Sequence, residues 1–168
     1  PVIPRAELSD LEKSTISLFS SRSKSVVHIT TVTLQQDIFR LNALEVPQGM
    51  GSGFVWDTAG HVVTNYHVIR DAHVARVTLP DHSVWEAKLV GKSARNDIAV
   101  LRIEAPNAEL TPIVVGSSHD LSVGQQVFAI GSPFGLDTTL STGVISGLGR
   151  EIEGQLGLPI HGAIQTDA

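Results

Sequence analysis

Two short runs carry residue types suited to proton transfer. Thr64-Asn65-Tyr66-His67-Val68-Ile69 places a histidine just after an alternating strand and before residues able to form a helical turn. A histidine at such a strand exit can be held rigidly while one ring edge faces a cleft. Asn96-Asp97-Ile98-Ala99-Val100-Leu101 puts a carboxylate at the mouth of an otherwise apolar strand. A shielded carboxylate there could accept the Nδ1–H of a histidine, fix its tautomer and stabilise the imidazolium that forms when the ring takes a proton. Taken singly, each motif has a plainer reading. His67 alone reads as a packed or surface histidine, and Asn96-Asp97 as a turn-forming pair that starts a strand. The remaining histidines (His28, His61, His73, His82, His119 and His161) read as surface or ordinary structural positions. A metal site would use a spacing such as His-Glu-x-x-His or a cysteine pair; neither occurs, so no metal is expected. The absence of cysteine also removes disulfides and thiolate catalysis.

The elements that must position these residues are mostly strands. Val, Ile and Thr make up 44 of the 168 residues, and such stiff, β-branched side chains suit a pleated surface. One helix is predicted over residues 9–20: Ser9 and Glu12 have capping-box spacing, and Leu8, Leu11, Thr15 and Leu18 recur at helical intervals. Short strand-like runs follow at 25–34, 53–56, 61–65, 75–79, 84–90, 98–103, 113–115, 126–130, 139–146 and 162–166. Turn residues separate them, as in Asp57-Thr58-Ala59-Gly60, Pro80-Asp81-His82, Ser132-Pro133-Phe134-Gly135 and Leu148-Gly149-Arg150. Many short strands with regular turns indicate a barrel or sandwich rather than alternating strand–helix units. Ala105-Pro106-Asn107-Ala108 reads as a connector. The expected organisation is an N-terminal segment over 1–24, a first barrel over 25–104 that holds His67 and Asp97, and a connector with the start of a second barrel over 105–168.

Composition excludes several partners. With 42% hydrophobic and 17% charged residues the chain is globular rather than disordered. A formal charge of −5 without any Lys/Arg cluster argues against nucleic acid and anionic membrane surfaces. No apolar run approaches the ~18 residues that cross a bilayer, so no membrane span is expected.

The order of the blocks is more specific than any one of them. Gly51-Ser52-Gly53-Phe54-Val55, the His67 and Asp97 runs, Val123-Gly124-Gln125-Gln126-Val127-Phe128-Ala129-Ile130-Gly131-Ser132-Pro133-Phe134-Gly135-Leu136, Thr142-Gly143-Val144-Ile145-Ser146-Gly147 and Ile164-Gln165-Thr166-Asp167-Ala168 occur in turn. This series resembles the HtrA (Deg) family of chymotrypsin-fold serine proteases, and the resemblance runs from about Ser25 to Ala168. It implies an all-β, trypsin-like double β-barrel with a short N-terminal helix, the second barrel being incomplete over the residues given. His67 matches the family's general base and Asp97 its orienting acid. Ser132 stands where the family usually has Asn, a mild departure. The segments 34–50, 132–140 and 150–161 are expected, by the same resemblance, to be a mobile loop and two loops that order the site. The family's nucleophile lies in a Gly-Asn-Ser-Gly-Gly block shortly after a Gln-Thr-Asp-Ala run. Ser52, Ser132, Ser141 and Ser146 each lie in other blocks, so the serine is expected in polypeptide beyond Ala168.

The implied function is ATP-independent endoproteolysis of unfolded or damaged proteins, with no cofactor. The resemblance also implies a homotrimer or a multiple of it, and a bacterial periplasm or cell envelope, or a thylakoid lumen, as location. A different class of reading is a proteolytically inactive, chaperone-like binding module on the same fold. A metal-dependent hydrolase is a third reading, and the chain offers no ligand set for it.

Overall fold

The computed structural model describes residues 7–36, 43–106, 109–133, 135, 137–154, 157 and 159–168. Helix α1 (Asp10–Arg22) opens the described chain. Ser9 caps it reciprocally: its hydroxyl accepts the Glu12 N–H, and the Glu12 carboxylate accepts the Ser9 N–H at 2.8 Å. A single 3-10 turn (Ser23–Ser25) leads into strand β1 (Val26–Gln36). Then follow β2 (Ala43–Val55), β3 (His61–Thr64), the one-turn helix α2 (Tyr66–Ile69), β4 (Val74–Thr78), β5 (Val84–Ser93) and β6 (Ile98–Arg102). These six strands close into an antiparallel barrel in the order β1-β2-β3-β6-β5-β4. Strands β7 (Gln126–Gly131), β8 (Thr139–Glu153) and β9 (Pro159–Thr166) form a separate three-stranded antiparallel sheet. The protein is therefore mostly β, with one closed barrel, one open sheet and a short N-terminal helix.

Alternation explains the barrel core. Val27, Ile29, Val55, Val62, Val77, Ala99, Leu101 and Ile103 point inward and are almost fully buried. Val68 and Ile69 from α2 join the same cluster, so the turn that carries His67 is anchored in the barrel. Gly51 on β2 makes this possible, since a Cβ there would lie 2.6 Å from Val68 Cγ2. Without a side chain at 51, α2 lies directly on the barrel wall.

Three expectations need correction. The segment 34–50 is not one loop: β1 extends to Gln36 and β2 begins at Ala43, while 37–42 lie outside the described residues. Pro47 and Gly49 read locally as loop, but pairing with β1 holds them extended. The register slips between Thr31 and Val32, where Gln48 is the extra residue, and a bulge is where a strand accommodates a nearby proline. The run 113–115, although β-branched, forms no strand, and its one ladder-like bond is Ile113 N–H to the Val55 carbonyl at 2.9 Å. The loop expected over 150–161 is largely strand: β8 continues to Glu153 and β9 starts at Pro159. Register shifts at Gly147 and Arg150, with φ +63° at Gly149, let β8 bend there instead of turning.

Two backbone groups of Ser132 tie the open sheet to the barrel. Its N–H donates to Ser52 Oγ at 2.8 Å, and its carbonyl accepts from His28 Nδ1 at 2.7 Å. His28 is only 7% exposed and occupies a buried structural position.

Candidate active site

Strand pairing brings the two expected residues together. Thr64, the last residue of β3, pairs with Ala99 near the start of β6. The chain leaving β3 and the chain entering β6 therefore meet at one end of the barrel. There His67 Nδ1 lies 2.7 Å from Asp97 Oδ2, across 30 positions of sequence. This falls inside the window for an imidazole oriented by a carboxylate, and it makes Nδ1 the protonated nitrogen and leaves Nε2 as the base. The His67 side chain is 45% exposed and that of Asp97 17%, so the ring faces solvent while the carboxylate is shielded.

Asp97 also closes the backbone. Its Oδ1 accepts the His67 N–H at 2.9 Å, and its carbonyl accepts the Tyr66 N–H at 3.1 Å. The first amides of α2 are thus satisfied from another loop rather than by a preceding side chain. Asn65 Nδ2 lies 3.1 Å from the Asp97 carbonyl and 3.3 Å from Oδ2. Nothing local singles out Asn65, because its position before a helical turn reads as an ordinary cap. Asp97 has φ +53°, a left-handed conformation that Asp and Asn tolerate better than other non-glycine residues. Lys92 Nζ sits over the Tyr66 ring at 5.5 Å, a further contact between β5 and α2.

A second histidine–carboxylate pair sits at the opposite end of β3. His61 Nδ1 lies 2.7 Å from Asp57 Oδ2, and Asp57 Oδ1 accepts the backbone N–H groups of Ala59 and His61. The hydrogen bond from the His61 ring, ahead of the backbone ones, holds the Asp57 carboxyl below its usual value. Here the carboxylate builds the β2–β3 turn. Among the described residues no three His, Cys, Asp or Glu side chains gather as a metal site would require.

An open cleft of about 770 Å³ runs between barrel and sheet. Leu18, Val26, Phe54, Ile98, Val127 and Phe128 line it, with Asn65 at its margin. At the far end of the sheet, Asp167 Oδ1 accepts the Val144 N–H at 2.8 Å and fastens the residues after β9 to β8.

A closed antiparallel barrel with a His–Asp pair at its rim and a second sheet across a cleft is the layout of trypsin-like peptidases. Residues 51–168 match the trypsin-like peptidase domain. The chain belongs to the Deg (HtrA) family of these peptidases. It is 60% identical over 158 residues to Protease Do-like 1, chloroplastic, of Arabidopsis thaliana, a match that covers 94% of this chain and 36% of that protein. It is 45% identical over 181 aligned residues to Protease Do-like 8, chloroplastic, of the same plant, covering 99% of this chain and 40% of the relative. The chain therefore spans well under half the length of these two relatives. The solved structure of Deg5 superposes with a TM-score of 0.79 at 44% identity, over 97% of this chain and 77% of that one.

Proposed function

We propose that this chain supplies the base-bearing part of an ATP-independent serine endopeptidase. His67 is the general base and Asp97 the acid that orients it. The observation that carries this reading is the 2.7 Å contact between His67 Nδ1 and Asp97 Oδ2. In the reaction a serine hydroxyl attacks a peptide carbonyl while Nε2 of His67 takes its proton. Asp97 stays ionised and stabilises the imidazolium, which then returns the proton to the leaving amine. Acyl transfer by this route uses neither ATP nor an organic cofactor. The serine is assigned to polypeptide that follows Ala168. Among the described residues the only side chain bonded to the His67 ring is that of Asp97.

The substrates proposed are unfolded or damaged proteins, a reading supported by membership of the Deg (HtrA) family. A chloroplast location is supported by the names of the two plant relatives; within it the thylakoid lumen is proposed, with a bacterial periplasm or envelope as the other setting of such enzymes. A homotrimer is proposed through the N-terminal segment, where α1 buries no residue and leaves Leu11 62% and Ile16 51% exposed. An inactive binding module is the second reading, but a binding surface has no use for an oriented imidazole.

The test uses the protein with its native continuation. It is expected to degrade casein without ATP and in the presence of a chelator, and to be labelled by a serine-directed phosphonate at a serine beyond Ala168. His67→Ala is expected to lower the rate by several orders of magnitude. Casein cleavage unaffected by His67→Ala, or no cleavage and no labelling, would overturn the assignment.

A further inference from the structure

Asn65 occupies the N-cap position of α2, where an asparagine ordinarily folds back onto the amides of its own helix. Here it makes no such bond. Its Nδ2 is turned to Asp97, toward the carbonyl at 3.1 Å and Oδ2 at 3.3 Å. Both partners only accept, so the side chain must present its NH2 group and the amide orientation is settled. The capping that Asn65 forgoes is supplied by Asp97, through its carbonyl to Tyr66 and its Oδ1 to His67. Asp97 Oδ2 is left with two donors, the Asn65 amide and the His67 ring.

We infer that Asn65 is a positioning residue for His67. By gripping the carbonyl and the carboxylate of Asp97 together, it holds the carboxylate plane so that Oδ2 lies along the His67 Nδ1–H. It also shares the charge of Oδ2 and so limits how tightly that oxygen holds the imidazolium. Asp97 needs such a grip because its backbone is left-handed at φ +53° and the ring it orients is 45% exposed. Of the charged groups near α2, Lys92 lies over the Tyr66 ring and Arg70 Nε pairs with Asp71 at 3.1 Å, while Arg95 lies two positions before Asp97 in the β5–β6 turn and Arg102 stands at the far end of β6. The inference rests on the reading of His67 as the general base.

Loss of the amide donor has a signed consequence. With one fewer donor on Oδ2, the carboxylate attracts the imidazolium more strongly, and the ring keeps its proton to higher pH. Asn65→Asp adds a like charge as well and moves the titration further in the same direction. The less constrained carboxylate lowers turnover while leaving substrate contacts unchanged.

The experiment follows the His67 ring by NMR in full-length protein labelled with 15N-histidine, the signal being assigned by its loss in His67→Gln. Wild type, Asn65→Ala and the nearly isosteric Asn65→Asp are titrated, and kcat and KM are measured on one peptide substrate. The ring midpoint is expected to rise in the order wild type, Asn65→Ala, Asn65→Asp, and kcat to fall about tenfold with KM changed by less than about twofold. Superimposable ring titrations in folded Asn65→Ala and Asn65→Asp would overturn the inference. Absence of peptidase activity from the wild type would instead remove the base assignment, and the ring titration would still decide the role of Asn65.

Discussion

One carboxylate at position 97 orients a ring, closes the start of a helical turn and sits on a left-handed backbone. These roles separate by mutation. Asn is the residue best suited to replace Asp at φ +53° and can still accept the His67 N–H. Asp97→Asn is therefore expected to fold nearly normally while activity falls by about 10⁴, because the ring is left in the wrong tautomer. Asp97→Ala loses the acceptors and, with them, the short polar side chain that makes the left-handed conformation tolerable. Urea unfolding should show it less stable than Asp97→Asn by about 1–3 kcal/mol. At this scale the sequence was partly legible. A His after an alternating strand and an Asp before an apolar one are candidates by type, but each alone reads as structural and only the ordered series of blocks singles them out. The Asn65–Asp97 bonds and the buried contact of His28 with Ser132 depend on partners 32 and 104 positions away, which no local pattern encodes.

Among the elements, α1 is the one whose stability is set by a titrating cap. The hydrogen bond from the Ser9 side chain, then that from its backbone, holds the Glu12 carboxyl below the usual 4.5. A depressed folded value means that the cap contributes fully above the unfolded value and is lost as pH falls through the folded one. Amide exchange in the first turn of α1 is expected to accelerate, relative to the intrinsic rate, as pH is lowered from neutral toward 3. Glu12→Ala, which has no acceptor to reach back, should show the accelerated behaviour at neutral pH and little further change. This helix could be read from Ser9 and Glu12 because capping is local. The long hairpin arms could not. The stretch Pro47-Gln48-Gly49-Met50-Gly51 carries loop residues and becomes strand only because β1 pairs with it, bulge included. Conversely, Ile113, Val114 and Val115 have strand composition, but the single backbone bond from Ile113 to Val55 does not make a ladder. Strands whose alternation is clean, such as His61–Thr64 and Ile98–Arg102, were legible to within a residue.

For the whole molecule, the proposed trimer is the most direct thing to test. Helix α1 packs mainly against its own following turn and leaves Leu11 and Ile16 in solvent, so its apolar side chains are free to meet another copy. Removal of residues 1–24 is expected to shift the mass measured by light scattering toward the monomer. An unchanged mass would exclude this segment as the assembly contact. Within one copy, the junction between barrel and sheet rests on Ser52 and His28 gripping Ser132 from both sides. Ser52 in turn accepts Thr64 Oγ1 through its carbonyl at 2.9 Å, one residue before Asn65. The sheet and the His67 turn therefore share an anchor on β2.

The order of strands around the barrel also governs when the site can exist. β3 and β6 are neighbours in space, although β4 and β5 come between them in the chain. The β3–β6 seam is thus a long-range closure, formed at a loop-entropy cost that the local β4–β5 hairpin avoids. His67 and Asp97 stand at the end of that seam, and neither can find the other until it has zipped. A nascent or partly unfolded copy therefore carries a free histidine and a free aspartate but no oriented base. The assembly of the charge pair is a built-in readout of barrel closure, and under the proposed activity on unfolded chains the protein would in this way be unarmed for as long as it is itself one.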